Sequence, residues 1–372
     1  MSDVTACAGG VRGDALELAE CDVRANRLEV QLRAGGFELF RLLRHRRPDH
    51  DIDGDIVMMV DVAQVEMAKT MERQPADLRR LLDDRVPVES AAQRIAGRRV
   101  FVVGTGTSWH AANQGVWLLR LGGVDAVAVA AADCALWGPR PSAAEALVLL
   151  SHRGTKRYTS EVLTRARADG VPAVAIGGVA APGAEIETVE QETAGTFTAS
   201  HLGALARLAQ LAVALGADLG DLGSVPDAVA AALAAPSPGV ELPERGLEFV
   251  GAGPNQWTAA EGALKVREAA HLFTEGLSVE QLRHGPGFAL GSRDALVSLD
   301  GGGPGAARLR QVADAVEAAG SRVYRIAATE LGEPLSIFSL TVAVQRIALD
   351  FALRLGTDPD HVGSTEWRSF EL

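Results

Sequence analysis

Glu261, Lys265 and Glu268 stand at i, i+4 and i+7 in the run Glu261–Pro286, EGALKVREAAHLFTEGLSVEQLRHGP. On a helix these three positions share one face. His284 follows sixteen residues after Glu268, inside the Arg-His-Gly-Pro element Arg283–Pro286. A carboxylate, an ammonium and an imidazole brought into one pocket can open a sugar ring and move a proton between neighbouring carbons. That is the chemistry of an aldose–ketose isomerase or an amino-sugar deaminase. Charges at this spacing also decorate ordinary solvated helix faces, where each ion pair contributes roughly 0.2–0.5 kcal/mol. Spacing alone leaves both readings open.

Two further loops have the makings of anion sites. Gly104-Thr-Gly-Thr-Ser108 follows an apolar run and opens a helix, so it offers backbone N–H groups and a positive helix end. It lacks the third glycine and acidic partner of a dinucleotide fingerprint. Ser151-His-Arg-Gly-Thr155 occupies a similar strand-to-helix position and is followed by Lys156 and Arg157. Arg153, Lys156 and Arg157 oppose the macrodipole at a helix start. Their grouping favours an anion bound among them over three solvated cations. Thr198-Ala-Ser200 precedes a long helical pattern, where Ser200 is a plain N-cap candidate.

The composition narrows the classes. A chain of 372 residues with 47% hydrophobic content has room for two or three domains with real cores. A net charge of −12 argues against nonspecific binding to nucleic acid or to anionic membrane lipid. No run of 18 or more apolar residues marks a membrane span. Cys7, Cys21 and Cys134 are widely spaced and odd in number, fitting neither a disulfide framework nor a zinc cluster. The start, MSDVTACAGG, lacks the basic and apolar regions of a secretory signal. A reducing cytoplasm is the expected home.

Along the chain, residues 1–58 form an extension without a motif, mixing amphipathic pieces over Leu28–Leu43 with the charged run Arg44–Asp55. A helical appendage is one reading, and an overlong start assignment another. From Val62 to Asp84 the pattern is helical, with Gln74-Pro75 inside it. Val100–Val103, Ala146–Leu150 and Ala173–Ile176 read as buried strands, with a long helix over His201–Leu215 and a proline-rich linker over Pro236–Pro243. Strands at Leu247–Gly251, Ala295–Leu299 and Arg322–Ile326, with helices at Ala306–Ala319 and Ile337–Leu355, repeat the theme. Phe101–Gly104 answers Phe249–Gly251, and Ala146–Leu150 answers Ala295–Leu299. Strands and helices alternating in two units imply an α/β fold with two doubly wound parallel sheets flanked by helices.

Taken whole, the Glu261–Pro286 run resembles the double-SIS sugar isomerase family, which includes the isomerase part of glucosamine-6-phosphate synthases and related deaminases and deglycases. Met71-Glu-Arg-Gln-Pro75 with Leu78, Leu81 and Leu82 is similar to that family's introductory helix, and Gly356-Thr-Asp-Pro-Asp-His361 to its tail. The resemblance implies an introductory helix in 59–90, SIS domains over 91–238 and 239–355, and a tail over 356–372. It implies Glu268 as the base shuttling a proton between C1 and C2, and His284 as the ring-opening group, reaching the site from a partner subunit in a homodimer. Lys265 would orient Glu268, and Glu261 would support the same face. Thr107, Ser108 and Ser200 would contact the sugar, and Ser151, His152, Arg153, Thr155 and Lys156 the phosphate. No metal or organic cofactor is implied.

Three departures shape the expectation. Arg153 and Lys156 stand where the family's phosphate loop has Ser and Thr. The segment before residue 59 is too short for a glutaminase domain, so glutamine hydrolysis by that route is not expected. Trp367, followed by Arg368, stands where a Schiff-base lysine is usual, and Arg cannot serve in its place. The expected function is deamination or deglycation of a phosphorylated amino sugar. Aldose–ketose isomerisation, or amination with external ammonia, is the alternative among enzymes. A sugar-phosphate-binding regulator without chemistry is the alternative of another class.

Overall fold

The structure, a computed structural model, describes residues 17–24, 27–34, 37–42 and 62–363. The run Arg44–Asp55 and the tail residues Trp367 and Arg368 lie outside the described residues. Near the start, β1 (Glu17–Arg24), β2 (Arg27–Ala34) and β3 (Phe37–Leu42) form an antiparallel meander, not a helical appendage. The reason is a period of two: Leu28, Val30 and Leu32 alternate with Glu29, Gln31 and Arg33.

Helices α1 (Glu66–Asp83) and α2 (Val86–Ile95) lead into the first sheet. That sheet alternates β4 (Val100–Gly104), α3 (Thr107–Leu121), β5 (Ala126–Ala130), α4 (Ala131–Leu136), β6 (Ala146–Leu150), α5 (Arg157–Ala168), β7 (Ala173–Gly177) and β8 (Ile186–Glu187). Helices α6 (Ala199–Ala214) and α7 (Val225–Ala234) follow. The second unit runs β9 (Leu247–Gly251), α8 (Asn255–Ala270), β10 (Thr274–Ser278), α9 (Val279–Arg283), β11 (Ala295–Asp300), α10 (Ala306–Ala318), β12 (Arg322–Ala327) and α11 (Glu333–Leu355).

Both sheets are parallel, with orders β5-β4-β6-β7-β8 and β10-β9-β11-β12. The first four strands of one therefore match the four of the other. Every residue of β4 and β6 is buried, as strands covered by helices on both faces require. The repeat extends to backbone detail. A methyl on Gly104 would sit 2.3 Å from the Ser108 carbonyl oxygen, and one on Gly251 would sit 2.1 Å from that of Asn255. Each glycine lets its first strand run straight into the following helix.

The two units share one interior. Nearly all of α6 is buried, and the fully sealed Arg207 at its centre donates to the Leu81 and Asp84 carbonyls and to the Glu187 carbonyl. This ties the end of α1 to the far strand of the first sheet. Gln74 donates to Gln345 of α11, which donates to the Thr198 carbonyl at the start of α6. The Asp360 carboxylate accepts from the Glu66 and Met67 N–H groups, capping α1 from the tail. Among the described residues, α11 is the one helix long and apolar enough to cross a membrane, and 78% of that stretch is buried inside the protein. It packs against α8 as a core helix.

Gly104→Ala and Gly251→Ala should each lower unfolding free energy by about 1–3 kcal/mol, the usual cost of forcing extra volume into a packed site. Urea unfolding measures this, and midpoints equal to wild type would contradict the strand–helix contact.

Candidate functional site

The start of α3, from the first unit, meets the middle of α8, from the second. Glu261 is fully buried there and accepts three contacts. Thr107 Oγ1 donates to its Oε1 at 3.1 Å, His110 Nδ1 lies 2.7 Å from its Oε2, and Lys265 Nζ lies 3.4 Å from Oε1. Lys265, equally buried, also donates to Glu268 Oε2 at 2.6 Å. The i, i+4, i+7 face is thus an inward-facing charge array rather than a solvated surface. Glu268 differs from its neighbours in being open: its side chain is 26% exposed.

Burial and charge sort these groups. Burial pushes the Glu261 carboxyl up, but the Lys265 ammonium, followed by the hydrogen bond from His110, outweighs it and holds it well below the carboxylate range. Burial works against the Lys265 ammonium, yet Glu261 and Glu268 carry it up to about 12. For Glu268, burial outweighs the Lys265 ammonium and its hydrogen bond, so the carboxyl is raised. Two carboxylates on one lysine therefore end in opposite states: one held ionised, one able to take a proton.

Residues without a sequence signal complete the cluster. His201, on α6, is sealed, and neither ring nitrogen makes a hydrogen bond, although Thr107 backbone is near. Burial brings it down to about 4 despite Glu261, which keeps the ring neutral. Glu192, in the irregular stretch before α6, accepts from the backbone N–H groups of Thr198, Ala199 and Ser200 and from the Thr198 hydroxyl. Its charge also reaches Lys265. Ser200 is therefore not the N-cap of α6. Thr198 holds that position, and the Glu192 carboxylate supplies the acceptors from further back in the chain.

The Ser151–Lys156 loop borders the cluster through the same Glu192. His152 Nε2 accepts from the Glu192 N–H at 3.0 Å, and its ring meets Phe197 edge-on. Arg153 lies over the Phe197 ring at 5.1 Å and donates to the Glu192 carbonyl at 3.5 Å. Ser151 is buried with its hydroxyl 3.3 Å from that of Thr159, whereas Thr155 and Lys156 are exposed. Although Lys156 keeps exposed surface, partial desolvation of its ammonium by the surrounding loop, and then Arg153, lower it. Gly154 must be glycine: its φ is +68°, and a methyl would meet the Pro182 carbonyl oxygen at 2.6 Å. Arg157 points elsewhere, pairing with Glu161 at 3.1 Å.

Thr107, Glu261, Lys265 and Glu268 therefore come together, with Ser108 beside them on α3, Ser200 at the start of α6, and the loop from Ser151 to Lys156 alongside. His284 does not join them within one chain. It follows α9, is 72% exposed, and lies 3.4 Å from Glu280. Of the groups missed in the sequence, His110 alone had a local signal, standing at i+3 from Thr107. No group of three or more His, Cys, Asp or Glu among the described residues is disposed to hold a metal ion.

No protein-family model matches the chain. Over 346 residues it is 26% identical to a glutamine–fructose-6-phosphate aminotransferase (isomerizing) of Gloeobacter violaceus, an alignment covering 79% of this chain and 56% of that one. The chain is homologous to the SIS isomerase part of that aminotransferase. It spans about half the length of the curated relatives it matches. Its fold is shared with glucosamine-6-phosphate deaminase of Thermotoga maritima, at a TM-score of 0.66 and 19% identity, over 80% of this chain and 98% of that one. It is likewise shared with tagatose-6-phosphate ketose/aldose isomerase of Escherichia coli, at a TM-score of 0.67 and 17% identity, over 82% and 97%. The two parallel sheets are those of the SIS fold.

The depressed Glu261 carboxyl makes a stability prediction for this chain. Its contribution is present above the ordinary value of 4.5 and is lost as pH falls toward the lower folded value. Glu261→Gln should cost about 3–5 kcal/mol at neutral pH, because Lys265 loses a buried partner. It should also flatten the acid limb of wild-type stability below 4.5. Urea unfolding across pH tests both, and an unchanged acid limb would contradict the assignment.

Proposed function

We propose that the protein is an enzyme acting on a phosphorylated amino sugar, deaminating or deglycating it through C1/C2 proton transfer by Glu268. The observation that carries this reading is the raised, partly open Glu268 carboxyl hydrogen-bonded to a buried lysine. A base that takes a proton from carbon and returns it one atom away works best when its own affinity lies near the working pH. Lys265 fixes its position and stabilises the carboxylate between transfers. Glu261 keeps Lys265 charged when Glu268 takes the proton.

The loop from Ser151 to Lys156 would hold the phosphate, with Arg153 and Lys156 contributing charge and Ser151 and Thr155 hydroxyls. Thr107, Ser108 and Ser200 would line the sugar. His284 would serve the site of a second copy, in a homodimer formed around the exposed element that includes Phe273 and Phe288, 92% and 81% exposed. The likeness to a deaminase and to a ketose/aldose isomerase supports both outcomes of one proton transfer: loss of the amine, or isomerisation with the amine absent. Trp367 and Arg368 in place of a Schiff-base lysine favour the first.

Glu268→Gln should lower turnover of hexosamine or fructosamine 6-phosphates by more than roughly a hundredfold while the fold persists. Ammonia or amine release measures it, and near-wild-type turnover would remove Glu268 from the role. Arg153→Ala should raise KM with little change in kcat. An unchanged KM would show that the loop does not hold the phosphate.

A further inference from the structure

Phe197 stands between two residues of the anion loop. The Arg153 guanidinium lies over its ring at 5.1 Å, and the His152 ring meets its edge at 5.3 Å. The backbone on either side of Phe197 is fixed. Thr196 N–H donates to the Pro359 carbonyl at 3.1 Å, and Thr198 N–H to the Glu192 carboxylate at 2.9 Å. His152 is withdrawn from any ligand, since Nε2 accepts the Glu192 N–H and Nδ1 is sealed. Arg153 is the opposite case. It is exposed, forms no ion pair with a described carboxylate, and donates to the described residues only through the 3.5 Å contact with the Glu192 carbonyl. Its neighbour Arg157 is instead paired with Glu161 at 3.1 Å.

What holds a guanidinium decides what it can do. A carboxylate partner neutralises it and must be displaced before another anion can bind. An aromatic face attracts the cation through its quadrupole, yet leaves its net charge and its N–H edges free. Lys156 stands near enough for Arg153 to act on its ammonium, so two cations share the loop, neither paired with a described carboxylate.

We propose that Phe197 is a positioning residue for phosphate recognition, holding the Arg153 guanidinium in place and uncompensated until the substrate's phosphate arrives. The phosphate accepts from the outward N–H groups while the ring stays against the face of the guanidinium. Fixing that side chain beforehand lowers the ordering penalty of binding. Phe197 thereby sets the preference for a phosphorylated over an unphosphorylated sugar. The proposal rests on the phosphate reading of the loop given above and is independent of proton transfer by Glu268.

Phosphorus-31 NMR of the protein titrated with inorganic phosphate and with sorbitol 6-phosphate measures affinity without turnover. Phe197→Leu, which keeps apolar volume without a ring, should weaken both about fivefold, and Phe197→Tyr should stay within about twofold of wild type. In an Arg153→Ala background, Phe197→Leu should change neither affinity by more than about 1.5-fold. With a hexosamine 6-phosphate, Phe197→Leu should raise KM by about the same factor as the affinity loss and leave kcat within about twofold. A residue that only packs would weaken binding equally with and without Arg153, or not at all, and either result overturns the proposal. Binding of neither probe to wild type overturns it as well, together with the loop's anion role. Should the probes follow the expected pattern while no hexosamine 6-phosphate is turned over, the reading of the activity fails and Phe197 keeps its role. If Phe197→Leu does not fold, Phe197→Met, also without a ring face, is measured in its place.

Discussion

A buried ammonium that must be neutralised is the constraint around which this protein is arranged. Lys265 has no exposed surface, and an isolated charge so placed would cost several kcal/mol. Glu261 and Glu268, at i−4 and i+3 on the same helix, supply the compensation, and Glu192 adds to it from outside that helix. The compensation is unequal. Glu261 is surrounded by donors and stays ionised, whereas Glu268 has the lysine on one side and the opening on the other. The same lysine thus stabilises one carboxylate permanently and leaves the next free to exchange a proton.

That arrangement needs both units of the fold. Helix α8 of the second unit carries the charge array, α3 of the first covers Glu261 with Thr107 and His110, and α6 closes the cluster with His201. The α3–α8 seam continues inward through Gln114, Thr258, Asn255 and Ser336, each hydrogen-bonded to the next. Loops after β4 and β6 reach this seam from the carboxyl ends of their strands, where parallel α/β sheets receive ligands. Glu192 makes the join between loop and array. Its main chain holds His152 and Arg153 while its carboxylate holds the first turn of α6.

Much of this was legible in the sequence, and the exceptions have physical causes. Continuous apolar runs such as Ala146–Leu150, five residues long and set between loop signals, read as buried strands between layers of helix, and they stand where expected. Ala126–Ala130 is alanine-rich and merges into a helix, and Thr274–Ser278 contains a glycine and a glutamate, so neither announced itself as a strand. The stretch Leu28–Leu43 is short and charged, so its amphipathic pieces fit a helical appendage as well as the strands that form there. In the site, Glu261, Lys265 and Glu268 share one helix and one period. His110, His201 and Glu192 gain meaning only from tertiary contact, Glu192 as a cap that displaced Ser200.

The most direct test of the central claim follows a single proton. A hexosamine 6-phosphate carrying deuterium at C2 would be incubated with wild type and with Glu268→Gln, and the label located by NMR. The account predicts that wild type moves the label to C1 or into water as product forms, while the variant leaves it at C2. Product formed with the label still at C2, or equal label loss in both proteins, would contradict proton transfer by Glu268.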